Sequence, residues 1–158
     1  MVKVKTDKGT YFLQGNYDIS VEGKIIEVID EDGELKLWKK QELSQATDRY
    51  FYSQAKQRGG YLNMGEIVHD AGEGDPDAQF LLKLYDAIWK KEEELENQID
   101  SMSLEELLKI KNMETWVKPH YDQVVAELEN AADSTTNNTS EGKGNLPLLT
   151  IKAGGSQR

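Results

Sequence analysis

The stretch GEIVHDAGEGDPDAQF, residues 65–80, concentrates side chains that can do chemistry. It holds one of the two histidines of this 158-residue chain and five carboxylates, namely Glu66, His69, Asp70, Glu73, Asp75 and Asp77. Imidazole and carboxylate groups bind divalent metals and exchange protons with substrates. A small metal-dependent enzyme that uses the His69–Asp77 cluster is therefore one hypothesis for this protein.

The spacing of these residues favours a structural role instead. The stretch has neither an HExxH pattern nor a twelve-residue calcium loop with glycine at position six. Asp75 followed by Pro76 is typical of an N-cap and a first helical residue, and Asp77 then lies at the positive end of the helix dipole. Gly72 and Gly74 suit the turn before it. We interpret the stretch as a joint between two helices.

Other catalytic patterns are weaker still. Asp30-Glu31-Asp32-Gly33-Glu34 is calcium-like in composition, but its glycine stands at position four, so we interpret it as a hairpin tip. The chain has no cysteine, which excludes disulfides and Cys-based zinc sites. His120 has no serine nucleophile pattern nearby. The sequence predicts no catalytic residue, no metal ligand, no cofactor and no small-molecule substrate.

The net charge of −10 arises from one segment. Residues 66–106 carry thirteen acids and three bases, whereas acids and bases balance on both sides of this segment. An acidic region repels phosphate backbones, so we expect no nucleic-acid partner. No apolar run approaches the roughly 18 residues of a membrane span, and the start MVKVKTDKGT lacks a secretory apolar region, so we expect neither membrane insertion nor secretion.

Residues 1–40 are predicted to form an antiparallel β module. Five short runs alternate with period two: KVKT, TYFL, YDISV, KIIEVI and ELKLWK. Glycine-containing turn signals separate them, which indicates a meander of four or five strands. The expected buried or half-buried residues are Val2, Val4, Phe12, Ile19, Val21, Ile26, Val28, Leu35 and Leu37.

Residues 41–132 are predicted to form a helical module, which makes the fold class α+β. The predicted helices are residues 41–58, a short helix that Asn63 caps and that runs through Asp70 with Gly72 closing it, and a long helix from Pro76 to about Ser101. Ser103-Leu-Glu-Glu106 matches a capping box and begins another helix. Pro119 is expected to interrupt that helix and to open a last segment.

The C-terminal part is predicted to be an arm. Residues 133–145 are polar and of low complexity, which indicates a flexible linker, and residues 146–158 follow as an extended docking arm that begins LPLLTIK. The predicted partner-binding residues are the apolar side chains of this arm and two aromatic residues of the helical module: Leu146, Leu148, Leu149, Ile151, Tyr61 and Trp89.

Residues 49–110 carry a family resemblance. Its residues are Arg58-Gly-Gly-Tyr61, Ile67, Ala71, Ala78-Gln79-Phe80, Asp86-Ala87-Ile88-Trp89 and Ser103-Leu-Glu-Glu-Leu107. This layout resembles a C-terminal helical module of small tail proteins of tailed bacteriophages, described as tail-fibre or tail-assembly proteins. In that family a second tryptophan usually precedes the Asp-Ala-aliphatic-Trp run, where this chain has Leu84.

The resemblance implies a non-enzymatic structural component of a phage tail or virion, assembled in the host cytoplasm. Such a component would be oligomeric within the assembly, and it would attach a larger tail, fibre or baseplate protein, so its partners would be other tail or virion proteins. An alternative is a transient tail-assembly chaperone, which the acidic, solvated helix region favours. The metal-dependent enzyme remains a remote alternative.

Overall fold

The structure is a computed structural model that describes residues 1–13 and 21–137, with side chains up to residue 131. The chain divides into two compact units, Met1–Asp122 and Gln123–Arg158. In the described residues, an N-terminal three-stranded antiparallel sheet precedes five helices. The predicted α+β class is therefore confirmed, whereas the predicted arm, residues 146–158, lies outside the described residues.

The sheet contains β1 (Val2–Thr6), β2 (Gly9–Leu13) and β3 (Ile25–Asp30) in the order β2-β1-β3. Strand β1 is central and runs antiparallel to both neighbours, with Val4 opposite Tyr11 on one side and Val28 on the other. Sequence order therefore differs from spatial order, because the third strand pairs with the first.

The inner face of the sheet follows the alternation of β1. Val2 and Val4 are fully buried, and Leu13 of β2 is 7% exposed. Two strand residues predicted to be buried or half-buried are exposed, Phe12 at 57% and Ile26 at 69%. Phe12 lies opposite Lys3 and therefore on the outer face.

Ile26 is exposed for a different reason. The register shifts between Lys5 and Thr6, so that Lys5 pairs with Glu27 and Thr6 with Ile25. The irregularity leaves Ile26 without a partner in β1, and its side chain is exposed instead of facing the core. Val21 and Val28 are half-buried as predicted, and Ile19 lies outside the described residues.

The predicted fifth strand, ELKLWK, is wrong, because these residues begin helix α1 (Glu34–Gln57). The carboxylate of Asp30 accepts hydrogen bonds from the backbone N–H groups of Glu34 and Leu35, each at 2.9 Å, and so satisfies the start of the helix. Gly33 precedes the helix with φ 69°, which a glycine adopts freely. Leu35 is buried as predicted, but Leu37 faces solvent.

The next two helices are confirmed with their caps. Helix α2 (Met64–Gly72) begins where Asn63 Oδ1 accepts a hydrogen bond from Glu66 N at 3.0 Å. Helix α3 (Pro76–Ser101) begins where Asp75 Oδ2 accepts one from Ala78 N at 2.9 Å. Both carboxamide and carboxylate caps satisfy backbone donors that the helix itself leaves open.

The capping box at Ser103 and Glu106 is confirmed, but helix α4 is short (Leu104–Leu108). Helix α5 (Met113–Asn137) contains Pro119, so the predicted interruption at this proline is wrong. Buried Val117 and Tyr121 flank Pro119 on α5, and their packing holds the helix together at the cost of one backbone hydrogen bond.

The end of α5 overlaps the predicted linker. Residues 133–137 are helical, and residues 138–145 lie outside the described residues. Within the described residues, no helix combines the length and the apolar character that a membrane crossing requires.

The core of the unit Met1–Asp122 joins the sheet to the helices. Its large side chains with less than 2% exposure come from β1 and from all five helices, and they are Val2, Val4, Leu43, Phe51, Ile67, Leu81, Leu84, Ile88, Leu95, Ile99, Leu107, Val117 and Tyr121. These residues recur at three- and four-residue intervals on α3, which places one face of that helix in the core.

Candidate functional site

The carboxylates of the 65–80 stretch are used to join α1, α2 and α3. The hydroxyl of Tyr61, in the loop after α1, lies 2.7 Å from Asp70 Oδ2 and 3.3 Å from Asp75 Oδ2. The hydrogen bond to Asp70, together with burial, raises the pKa of the Tyr61 phenol. A Cβ at Gly59 would lie 2.6 Å from the Tyr61 ring, so this loop needs a glycine there.

This arrangement confirms the predicted capping role of Asp75. In the described part of the chain, which includes the whole stretch, no three His, Cys, Asp or Glu side chains are placed to hold a metal ion. His69 and Glu73 face solvent. The geometry of the stretch therefore shows a polar contact that joins two helices.

A second polar cluster, which the sequence reasoning did not identify, lies in the helical core. Glu92 of α3 is 6% exposed, and Thr47 of α1 is fully buried. The hydroxyl of Thr47 lies 2.9 Å from the carbonyl oxygen of Leu43 and 2.7 Å from the hydroxyl of Tyr121 on α5. The side-chain atom Oε2 of Glu92 has no hydrogen-bond partner among the described residues.

The electrostatics of this cluster follow from its burial. Burial, with a smaller contribution from Glu96, raises the pKa of Glu92 to about 7, and a hydrogen bond with Thr47 works against this shift. Burial likewise raises the pKa of Tyr121 to about 12. A signal for Glu92 was present in the sequence, because it occupies a core position of the α3 stripe between Ile88 and Leu95.

The predicted partner-binding residues have different surroundings. Tyr61 is only 8% exposed. Trp89 is half-buried, with its ring edge-on to Tyr85 at 6.0 Å and its indole Nε1 buried without a partner in the described residues. Leu146, Leu148, Leu149 and Ile151 lie outside the described residues. A role for these six residues in binding a partner stays a prediction.

A groove of about 230 Å³ lies between α1 and the first part of α5. Its polar side chains pair across it: Arg49 Nη1 lies 2.6 Å from Glu114 Oε2, and Tyr50 donates to Asp122 Oδ1 at 2.7 Å. Lys118 Nζ lies 2.7 Å from Asp122 Oδ2. Because these charges satisfy one another, the groove does not concentrate one sign of charge for a ligand.

The two outer strands of the sheet each carry an exposed large apolar side chain, Phe12 on β2 and Ile26 on β3. Phe12 of β2 packs beneath the ammonium of Lys3, which lies 5.9 Å from its ring centre. Ile26 of β3 is more exposed and stands at the register irregularity. Within the described residues each outer strand pairs with one strand only, so its other edge has no strand partner there.

Comparison of this chain with protein-family models, with curated proteins and with solved structures found no match.

Proposed function

We propose that this chain is a non-enzymatic structural component of a phage tail or virion, which attaches a larger tail, fibre or baseplate protein. The observation that carries the proposal is the three-stranded sheet, whose outer strands β2 and β3 each have a single partner strand in the described residues. Strand addition to such an edge gives affinity through backbone hydrogen bonds and specificity through alternate side chains.

The exposed apolar residues support docking at this sheet. An extended partner strand beside β3 would cover part of Ile26, which is 69% exposed. Burial of an aliphatic side chain of this size contributes about 1.5–3 kcal/mol when it is complete. The apolar segment LPLLTIK, residues 146–152, supplies a second β-prone surface for the same partner.

The resemblance to phage tail proteins supplies the biological setting of the proposal. The residues that carry it fall on the helices and joints as predicted: Arg58-Gly-Gly-Tyr61 forms the joint after α1, and Asp86–Trp89 lies in the middle of α3. A transient assembly chaperone is the second candidate, because the acid surplus of residues 66–106 suits a basic partner that must be released.

Mass spectrometry of purified particles, assembled with a tagged copy of the chain, tests the proposal. We expect the wild type at a fixed ratio to the tail proteins and Ile26→Lys to be missing, because a charge at a strand edge opposes strand addition. Leu62→Lys is the matched control, since Leu62 is 74% exposed and lies away from the sheet. Both variants should keep the wild-type circular dichroism.

The outcomes separate the candidates. Absence of the wild type from finished particles, together with its presence on assembly intermediates, would support the chaperone over the structural component. Equal incorporation of Ile26→Lys and Leu62→Lys would contradict docking at the sheet. Deletion of residues 138–158, which begins after α5, tests the arm in the same particles and is expected to reduce incorporation.

A further inference from the structure

Glu92 is a carboxyl group in a position built for an apolar side chain. It stands on α3 between the buried residues Ile88 and Leu95, and only 6% of it is exposed. Its Oε2 has no hydrogen-bond partner in the part of the chain that the structure describes. A buried charge without hydrogen bonds strongly destabilises a fold, whereas a neutral carboxyl is tolerated there more easily.

The charged groups around Glu92 do not compensate a negative charge. On α3 itself, the group that acts on Glu92 is another carboxylate, Glu96. Lys40 of α1 interacts electrostatically with Glu96, but its Nζ forms a salt bridge with Asp100 Oδ1 at 2.6 Å. Lys91, the neighbour of Glu92 on α3, pairs with Glu94 at 3.4 Å.

The neutral groups that face Glu92 from α1 and α5 are Thr47 and Tyr121. The Thr47 hydroxyl has one proton, and it donates this proton to the Leu43 carbonyl at 2.9 Å. The Thr47 oxygen also lies 2.7 Å from the Tyr121 hydroxyl. An ionised Glu92 brings only acceptors to this site, whereas a protonated one brings a donor that the Thr47 oxygen can accept. A hydrogen bond from Thr47 would favour the ionised form of Glu92, but the single Thr47 proton is directed at the Leu43 carbonyl, so the remaining groups favour the neutral carboxyl.

We propose that α3 packs against α1 and Tyr121 through a protonated Glu92, and that ionisation of this carboxyl loosens the helical core. The unit Met1–Asp122 then contains a pH-sensitive contact between its helices. The contact is defined by the geometry of the cluster and is independent of the proposed function.

The direction of the pH effect follows from the raised pKa. Burial first, and Glu96 second, raise the pKa of Glu92 from 4.5 to about 7 in the folded chain. The fold therefore binds the proton more tightly than the unfolded chain does. The stabilising contribution is fully present below pH 4.5 and is lost as the pH rises through about 7.

The test compares Glu92→Gln with Glu93→Gln by urea unfolding of the full chain at about pH 5 and about pH 8. Glu93 is exposed and lies next to Glu92 on α3, so it controls for the change in net charge. Between these two pH values, the folding constant of the wild type and of Glu93→Gln should fall by up to roughly a hundredfold more than that of Glu92→Gln. Equal pH dependence of all three proteins would overturn the proposal.

A measurement on the wild type keeps the proposal testable if Glu92→Gln does not fold. Carboxyl carbon NMR of glutamate-labelled protein should show one side chain that titrates near neutrality, well above the other glutamates. If every glutamate titrates within about one unit of its ordinary value, Glu92 is ionised in the fold and the proposal is wrong.

Discussion

The hydroxyl of Tyr61 joins two helices, a role that the position of this residue in the sequence does not reveal. It lies between Asp70 near the end of α2 and Asp75 at the start of α3, and it is the donor that both carboxylates share. Asp75 also caps α3 through the N–H of Ala78. One phenol therefore fixes the turn between two helices and keeps two like charges near each other.

Replacement of Tyr61 by phenylalanine should destabilise the fold, because Asp70 and Asp75 then lose their common donor. We expect the unfolding constant to rise by roughly tenfold, measured by urea unfolding near neutral pH. Tyr52→Phe is the control, since Tyr52 is half-buried beside Phe51 and no carboxylate accepts its hydroxyl in the described residues. If both variants have the same stability, the Tyr61 hydroxyl contributes nothing to the fold.

At the scale of elements, the sequence predicted the starts of α2, α3 and α4 because their caps are local. Asn63, Asp75 and Ser103 each bond an N–H group three residues ahead. The sequence predicts a hairpin where α1 begins, because Leu35 and Leu37 alternate as in a strand and Asp32-Gly33 is a common hairpin turn. The strand order β2-β1-β3 depends on pairing across distant segments, which no local pattern specifies.

The candidate sites likewise divide into those that local sequence determines and those that depend on packing between distant segments. The role of Asp75 could be predicted from its neighbour Pro76 alone. The position of Glu92 in an apolar stripe was visible in the sequence, but Thr47 and Tyr121, which lie next to it, stand on two other helices. Such a cluster can be recognised only when the packing of those helices is known.

Pro119 lies inside a helix, where a proline lowers stability. It lies beyond the first turn of α5, where proline cannot donate to the carbonyl four residues earlier, and its side chain is exposed. Pro119→Ala should therefore stabilise the protein by about 1–3 kcal/mol.

The control for this prediction is Thr115→Ala, an exposed site on the same helix, where the gain in helix propensity should be about 0.5 kcal/mol. Thermal unfolding of the two variants and the wild type measures the difference. A lower melting temperature for Pro119→Ala would show that the ring of the proline stabilises this helix.

At the scale of the whole molecule, charge opposes folding. The net charge is −10, and residues 66–106, which include most of α2 and all of α3, hold thirteen acids against three bases. Ion pairs such as Arg49–Glu114 and Lys118–Asp122 lie largely at the surface, where a pair contributes about 0–1 kcal/mol. Repulsion among the surplus carboxylates acts over many pairs and should exceed this contribution.

Added salt should therefore stabilise this protein. Raising the ionic strength from about 0.01 M to about 0.5 M shortens the screening length from roughly 30 Å to a few ångströms, which weakens the repulsion between α2 and α3 more than the contacts within ion pairs. We expect the melting temperature near neutral pH to rise by roughly 2–5 °C. Sodium chloride is the appropriate salt, because sulfate would also strengthen apolar burial. A melting temperature that falls with sodium chloride would show that the surface ion pairs outweigh the acid surplus.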